Sequence, residues 1–105
     1  MSSAWTPAAV PAAFEREYGC TETEWLRWLP GAVRGHSLVC PGDGQARVVL
    51  DEGALDLRWQ VLSPRRIALI SMPRMRVTFD FGNTPQDQVQ AFLRYFDLYM
   101  QRGGG

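Results

Sequence analysis

Apolar and polar residues alternate along the middle of this chain, from Val33 to Phe81, whereas the residues on either side follow a helical spacing. The pattern is clearest over residues 55–61, where Leu, Leu, Trp and Val alternate with Asp, Arg and Gln. A period of two places alternate side chains on one face of a β-strand. The turns between the alternating segments are too short for parallel crossovers, so the sequence predicts an antiparallel meander of about five strands.

The predicted strands cover residues 33–40, 46–51, 55–61, 66–71 and 75–81. Turn signals rich in Gly, Pro and Asp separate several of them. The fourth segment is apolar on both faces, which is typical of a strand that lies centrally or is covered on both sides. Pro73 is expected to end the hydrogen-bond ladder of this fourth strand, because proline has no backbone N–H to donate.

Two short helices are predicted before the sheet. Phe14 and Tyr18 are four residues apart, which puts them on one face of a first helix. Thr21 followed by Glu24 forms a capping-box pattern, so a second helix is expected to begin there. The Pro-Gly pair at residues 30–31 is expected to end it.

The C-terminal segment carries one continuous apolar stripe at helical spacing. Its members are Val89, Phe92, Leu93, Phe96 and Met100. Thr84 and Pro85 suit the N-cap and the first position of this helix. We expect the helix to lie across the inner face of the sheet, with an aromatic core between the two layers. The core residues predicted in this way are Trp59, Phe79, Phe81, Phe92 and Phe96.

These elements together predict an α+β fold, with two short N-terminal helices, an antiparallel meander sheet of about five strands and a long C-terminal helix packed on the sheet. The length of 105 residues predicts a single domain over residues 1–105, with an arm at 1–10 and a flexible tail at 103–105. The architecture is similar to that of helix-grip proteins, whose sheet and C-terminal helix enclose an apolar ligand cavity. The chain is short for that group.

The formal net charge is zero, with 11 acidic and 11 basic residues, and every basic residue is Arg. This balance argues against a dedicated nucleic-acid binder and against a protein held on a membrane surface by basic charge. The lack of Lys excludes Schiff-base and P-loop lysine chemistry. No signal-peptide pattern or membrane-spanning apolar run is present in the sequence, so we expect a cytoplasmic protein with no membrane association.

The sequence offers no convincing catalytic or metal-binding set. His36 and Cys40 are four residues apart, which on a strand means roughly 13 Å, too far for a shared metal ion. Ser37 lies on the opposite strand face from its neighbour His36 and is not activated by it. We therefore expect no catalytic residues, no metal and no cofactor, and the sequence favours a protein that is not an enzyme.

Charge is distributed unevenly along the chain. Residues 58–76 hold five Arg and no acidic residue, whereas residues 15–24 hold four Glu and one Arg. Alternation puts Arg58, Arg74 and Arg76 on the outer sheet face, where they would suit an anionic ligand or an acidic protein partner. The alternative is a solvated face whose charge is balanced across strands. The balancing residues would then be Asp56 and Asp80.

The chain also has more apolar surface than one small core can bury. Ile70 falls among the outer arginines, and Trp25 and Trp28 are hard to bury completely in so small a domain. Tyr95 and Tyr99 widen the apolar stripe of the C-terminal helix. Exposed aromatic and apolar groups rimmed by Arg are typical of binding interfaces. The alternative is that the N-terminal arm, with Trp5 and Phe14, covers them.

Two segments carry a resemblance to known proteins: IALISMPRMRVTFDF at residues 67–81 and FDLYMQRGGG at residues 96–105. They resemble a group of short, uncharacterised proteobacterial proteins. The resemblance covers mainly the last forty or so residues. It implies a compact bacterial domain and carries no activity.

Three functional hypotheses follow from the sequence. The first is a non-catalytic binding or assembly module that self-associates, most simply as a homodimer. The second is a pocket protein that holds a small apolar or anionic ligand between the sheet and the C-terminal helix, with catalysis left open. The third, which the charge balance makes unlikely, is nucleic-acid binding through the outer Arg face.

Overall fold

The computed structural model describes residues 9–102, which form one antiparallel sheet and two helices. In chain order the elements are β1 (Ala13–Tyr18), α1 (Glu22–Ala32), β2 (Ser37–Gly42), β3 (Gln45–Leu50), β4 (Gly53–Ile67), β5 (Ile70–Asp80) and α2 (Gln86–Arg102). The strand order across the sheet is β1-β5-β4-β3-β2. The chain is therefore α+β, with an antiparallel five-stranded sheet and a C-terminal helix, as predicted.

The prediction of two N-terminal helices is wrong, because the first of them is strand β1. Phe14 and Tyr18 share a face at a spacing of four in a strand as well as in a helix, so that spacing does not distinguish the two. Arg16 decides between them, because it lies between the two aromatic residues and is half-buried on the same face. Its neighbours Glu15 and Glu17 are exposed.

The predicted strand at residues 66–71 is also wrong, both as a separate strand and in its expected covered position. The chain reverses at Ala68 and Leu69, so β4 ends at Ile67 and β5 begins at Ile70, directly opposite. This segment is among the most exposed parts of the described chain. The apolar residues on both faces of residues 66–71 therefore belong to an exposed hairpin tip and not to a buried strand.

Pro73 lies inside β5 and does not end the ladder. The register shifts between Leu62 and Arg65, so that Ser63 and Pro64 oppose the single residue Pro73. An extra residue on one strand defines a β-bulge, and prolines are tolerated at bulges and on strand edges. The β1 strand ends opposite Met75, so this part of β5 is a free edge.

Helix α1 begins at the predicted capping box. The Glu24 backbone N–H donates to the Thr21 hydroxyl at 3.1 Å, and the Thr21 N–H donates to the Glu24 carboxylate at 2.9 Å. Contrary to prediction, the helix continues through Pro30 and Gly31 to Ala32. A side chain at Gly31 would overlap the Tyr99 ring of α2, so this glycine permits the close approach of the two helices.

Both helices cover the same face of the sheet, and the core lies between the two layers. The Phe79 ring of β5 meets the Phe96 ring of α2 edge-on, with centroids 5.6 Å apart. Of the predicted core residues, Phe79, Phe81, Phe92 and Phe96 are buried, which confirms them, whereas Trp59 is only partly buried. These side chains fill the space between sheet and helices, where a helix-grip protein would hold its ligand.

The segment before β1 is tied to the far end of the chain. Gln86 on α2 bonds both backbone groups of Val10, at 3.0 and 2.7 Å, and the Phe81 N–H donates to the Ala12 carbonyl at 2.7 Å. The rest of the predicted 1–10 arm, with Trp5, and the predicted tail at 103–105 lie outside the described residues. Within residues 9–102 no helix has the length and apolar character needed to cross a membrane.

Candidate interaction surfaces

The outer sheet face holds the predicted arginines, but their partners are not those expected. Arg74 lies 3.2 Å from Glu17 and also donates to the Ser63 carbonyl at 2.9 Å, and Arg76 lies 3.9 Å from Glu15. Both carboxylates come from β1, the segment predicted to be helical. Exposed pairs of this kind contribute about 0–1 kcal/mol each, so their main effect is to cancel charge on this face.

Asp56 and Asp80 do not balance those arginines. They lie directly opposite each other on β4 and β5. Asp56 instead accepts two hydrogen bonds from Arg47, at 2.9 and 3.1 Å, and Asp80 accepts one from the Gly82 N–H at 2.9 Å. Among residues 9–102, Arg58 forms no ion pair and is the only one of the three predicted outer arginines left without a carboxylate.

Trp25 lies in the core and presents no surface to a partner. Its side chain is 0% exposed, in contrast to the expectation that it would be hard to bury. The rings of Tyr18, Trp59 and Phe96 surround it at centroid distances of 5.4, 5.7 and 6.2 Å. Its indole N–H has no hydrogen-bond partner. Trp28 is partly buried against the same cluster.

Tyr95 and Tyr99 connect the two helices. Tyr99 lies over Gly31, and Tyr95 packs under the guanidinium of Arg34, whose central carbon is 4.6 Å from the ring centroid. Both tyrosines are half-buried. They therefore act mainly in packing α2 against the end of α1, and Tyr95 also lines a cleft beside these helices.

Five of the nine large apolar side chains that are exposed in residues 9–102 lie at the end of the β4–β5 hairpin. The last residue of β1 lies opposite Met75 and the first residue of β3 lies opposite Arg58, so residues 61–74 extend past both neighbouring strands as a two-stranded ribbon. We call residues 61–74 the hairpin arm. Its exposed large apolar side chains are Val61, Ile67, Leu69, Ile70 and Met72, and Leu69 at the tip is 103% exposed.

The hairpin arm is positively charged and makes the molecule long. It contains Arg65, Arg66 and Arg74 and no acidic residue. Arg65 lies 3.7 Å from Glu17, whereas Arg66 forms no ion pair with any described residue. The molecule measures 52 × 35 × 22 Å, with a radius of gyration of 15.3 Å. A compact domain of this size would have about 13 Å, so the arm is a true projection.

A cleft of about 390 Å³ lies at the opposite end of β4. It opens between the end of α1, the end of β3 and the first half of α2. The lining side chains include two carboxylates, Asp51 and Asp87, above an apolar floor that contains Phe92. Arg34 also lines it, but its guanidinium lies over Tyr95. The cleft is therefore apolar at its base and acidic at its rim.

The loop beside this cleft has an unusual backbone. Arg34 and Gly35 both have positive φ, 51° and 80°. A non-glycine residue with positive φ lowers the stability of the fold by about 1 kcal/mol. Such a residue occurs where the surrounding contacts hold the backbone in that conformation. The loop places the His36 ring 6.0 Å from the Phe92 ring, against the cleft floor.

Nucleophilic and metal-ligating groups are scattered rather than gathered. Across residues 9–102, no group of three or more His, Cys, Asp or Glu side chains is arranged to hold a metal ion. Burial raises the pKa of the Cys20 thiol to about 11, with Glu24 adding to the effect, so the thiol stays protonated at neutral pH. Cys40 is exposed on β2.

Sequence reasoning found Ile70 but missed the rest of the hairpin tip and the whole cleft. The apolar run predicts a covered strand for Leu69 and Ile67, whereas Pro64 and Pro73 on either side are the signal in the sequence that indicates a bulged ribbon. The cleft combines residues from 32–36, 50–51 and 87–95, which lie in three separate parts of the chain, and no local pattern marks them.

No protein-family model matches this chain, and no curated protein matches it significantly. The resemblance of residues 67–81 and 96–105 to short proteobacterial proteins therefore stays a prediction.

Proposed function

We propose that this protein is a small, non-catalytic assembly module that self-associates as a dimer through its hairpin arm. The observation that carries the proposal is the arm itself, which projects beyond the sheet and leaves its large apolar side chains in water. Isolated apolar residues are common on surfaces, but Ile67, Ile70 and Met72 share one face of the arm next to Leu69 at the tip, and such a group on a projection is typical of an interaction site.

The arm has enough apolar surface to drive association. Burial of one fully exposed Leu, Ile or Met side chain contributes about 1.5–3 kcal/mol, so the four in this group, which are about half to fully exposed, contribute on the order of 6 kcal/mol. Association and side-chain ordering cost at least about 4 kcal/mol of this. Burial of both arms in a symmetric dimer doubles the gain and leaves about 8 kcal/mol, which supports a dissociation constant in the micromolar range.

Charge supports a second copy as the partner. The arm is basic, and the turn at the other end of β4 carries Asp51 and Glu52. Asp87 lies close to that turn, across the cleft. The basic arm of one copy can therefore pair with the acidic turn of another copy. Because the net charge of the chain is zero, two copies do not repel each other at long range.

The cytoplasm is the compartment that we propose for this assembly. The two cysteines support it, because Cys20 and Cys40 are both free thiols, one buried and one exposed. Disulfides are common in oxidising compartments and rare in the cytoplasm.

The test is the mass of the protein in solution across a concentration series. We expect sedimentation equilibrium of the full chain to show a dimer by high micromolar concentration, and the double variant Leu69→Ser/Ile70→Ser to be monomeric. Leu98→Ser is the matched control, because Leu98 is also exposed but lies on α2, outside the arm. A strictly monomeric wild-type protein overturns the proposal, and so does a dimer that the arm variant leaves intact.

The cleft favours a second candidate function, the binding of a small molecule. Its volume of about 390 Å³ lies within the ordinary range for ligand sites, and its floor is aromatic. The rim carboxylates Asp51 and Asp87 favour a cationic group over an anionic one. Thermal-shift assays with tryptamine, and with indole as its uncharged control, test this function. Stabilisation that Asp87→Asn abolishes supports it, and no shift at millimolar ligand overturns it.

Nucleic-acid binding has less support. Arg74 and Arg76 lie next to Glu17 and Glu15, so the outer face has little unbalanced positive charge. Phosphate recognition depends on such an excess.

A further inference from the structure

We infer that the tip of the hairpin arm of one copy docks in the cleft of a second copy, with Leu69 as its apolar anchor and Arg66 facing the rim carboxylates Asp51 and Asp87. The inference rests on the proposed self-association and names the surface that receives the arm. It commits to one occupant of the cleft, a second copy of this chain.

The two surfaces complement each other in polarity. Leu69 is fully exposed at the tip, with exposed Ile67 and Ile70 behind it. The cleft offers an apolar floor around Phe92 and a volume of about 390 Å³, which is enough for a few side chains. Interface anchors are typically apolar side chains that enter a pocket in the partner.

The charges complement each other as well. Arg66 directly precedes the apolar tip and has no carboxylate partner within the described part of its own chain. The cleft rim carries two carboxylates, neither of which forms an ion pair with another described residue. Arg34, the one cation in the cleft lining, lies over the Tyr95 ring. The rim can therefore accept a cation from outside.

A chain cannot fill its own cleft in this way. The cleft adjoins the start of β4 and the tip follows its end at Ile67. Fourteen residues of extended strand separate Gly53 from Ile67, which corresponds to about 46 Å. When two copies lie antiparallel, the tip of each copy reaches the cleft of the other. This reciprocal contact forms a closed two-fold dimer in which no tip or cleft is left unoccupied.

Charge reversal on each surface tests the contact. We expect Arg66→Glu and Asp51→Arg each to weaken the wild-type dimer about tenfold or more in sedimentation equilibrium, and the double variant to recover most of that loss. Arg94→Glu is the matched control, because it reverses an exposed Arg on α2 that does not line the cleft. Circular dichroism of each variant checks that it is folded.

Cysteine cross-linking tests the geometry directly. In a Cys40→Ser background, a Leu69→Cys protein is mixed with an Ala91→Cys protein, because Ala91 is exposed in the cleft lining. We expect an oxidant to form a mixed disulfide dimer rapidly. Replacing the second protein with Val39→Cys, on the outer face of β2, should give little product.

The outcomes separate the inference from the proposed function. A monomeric wild-type protein overturns both. A dimer that Leu69→Ser/Ile70→Ser dissociates but Asp51→Arg leaves unchanged overturns only the cleft as the receiving surface. Masses that grow beyond a dimer, with the same cross-link, keep the contact and overturn the closed two-fold arrangement.

Discussion

Arg16 on β1 forms a partly exposed ion pair with Asp97 on α2, 81 residues later in the chain. Its guanidinium also lies over the rings of Phe14 and Phe79, at 5.2 and 5.3 Å from their centroids. Burial by itself lowers the pKa of Arg16, but hydrogen bonds to Asp97 and Tyr18 outweigh it, so the net pKa is raised and the group stays charged. The edge strand is thereby attached to the C-terminal helix.

Removing this connection should loosen β1. We expect Arg16→Ala to lower the free energy of unfolding by about 1–2 kcal/mol, because it loses the stacking on two rings as well as a partly exposed ion pair. Asp97→Ala, which removes only the ion pair, should cost less. Urea denaturation of both single variants and the double variant measures the coupling. Equal costs for the two single variants would contradict a contribution from the rings.

The two cysteines should differ sharply in reactivity. Cys40 is exposed and Cys20 is buried, with the pKa of its thiol raised to about 11. We expect one thiol per chain to react rapidly with a disulfide reagent at pH 8, and the second only after unfolding. Cys40→Ser should abolish the rapid phase. A rapid phase that survives in this variant would contradict the burial of Cys20.

Cys20 should also make the protein less stable at high pH. Its folded-state pKa of about 11 lies above the ordinary value of 9, so the folded state holds the proton more tightly than the unfolded chain. Stability is then unaffected below about pH 8 and falls as pH rises from 9 towards 11, by about 2 kcal/mol. Urea titrations of wild type and Cys20→Ala between pH 8 and 10 should show the steeper loss in wild type.

Gly31 should be intolerant of any side chain. A Cβ there would overlap the Tyr99 ring, so Gly31→Ala must displace α2 or rotate the tyrosine. We expect a loss of about 1–3 kcal/mol in the free energy of unfolding. Tyr99→Leu in the same protein should recover part of it, by making room. If Gly31→Ala leaves the melting temperature unchanged, the helices are not as close as described.

Replacing Ala68 with glycine should stabilise the hairpin tip. Ala68 has φ of 55° as the first residue of a two-residue turn, a conformation that glycine adopts without the Cβ penalty. We expect Ala68→Gly to stabilise the arm by about 1 kcal/mol, which corresponds to about fivefold slower hydrogen exchange of the Ile70 amide. Leu69→Gly, at a position without positive φ, should give no such protection.

The sequence was sufficient for the elements whose signals are local. The capping box at Thr21 and Glu24, the alternation of β4 and the apolar stripe of α2 all involve residues close together in the chain. In each of them the hydrogen-bonding or packing partners lie within a few residues or on one face of one element. Such patterns need no knowledge of the remaining fold.

Elements that depend on distant partners were not predictable. Strand β1 has an inward-facing charge, and Arg16 is acceptable there because of distant partners, Asp97 and the ring of Phe79. The turn at Ala68 has no Gly or Asn to mark it, and it forms because the two long strands on either side pair. Of the candidate surfaces, Ile70 follows from alternation, whereas the cleft exists only after α1, β3 and α2 have packed together.

The sheet joins the beginning of the described chain to its last strand. Ala13 pairs with Asp80, and Tyr18 pairs with Met75, so every backbone partner of β1 within the sheet is at least 57 residues away. During synthesis on the ribosome, β1 therefore leaves the exit tunnel long before β5 has been made. The β5 edge becomes available only after most of the described chain has been made and has left the tunnel. Until then β1 stays unpaired, and afterwards it competes for that edge with strands of a second nascent chain, so the speed at which β1 pairs with β5 decides between a closed sheet and strand exchange.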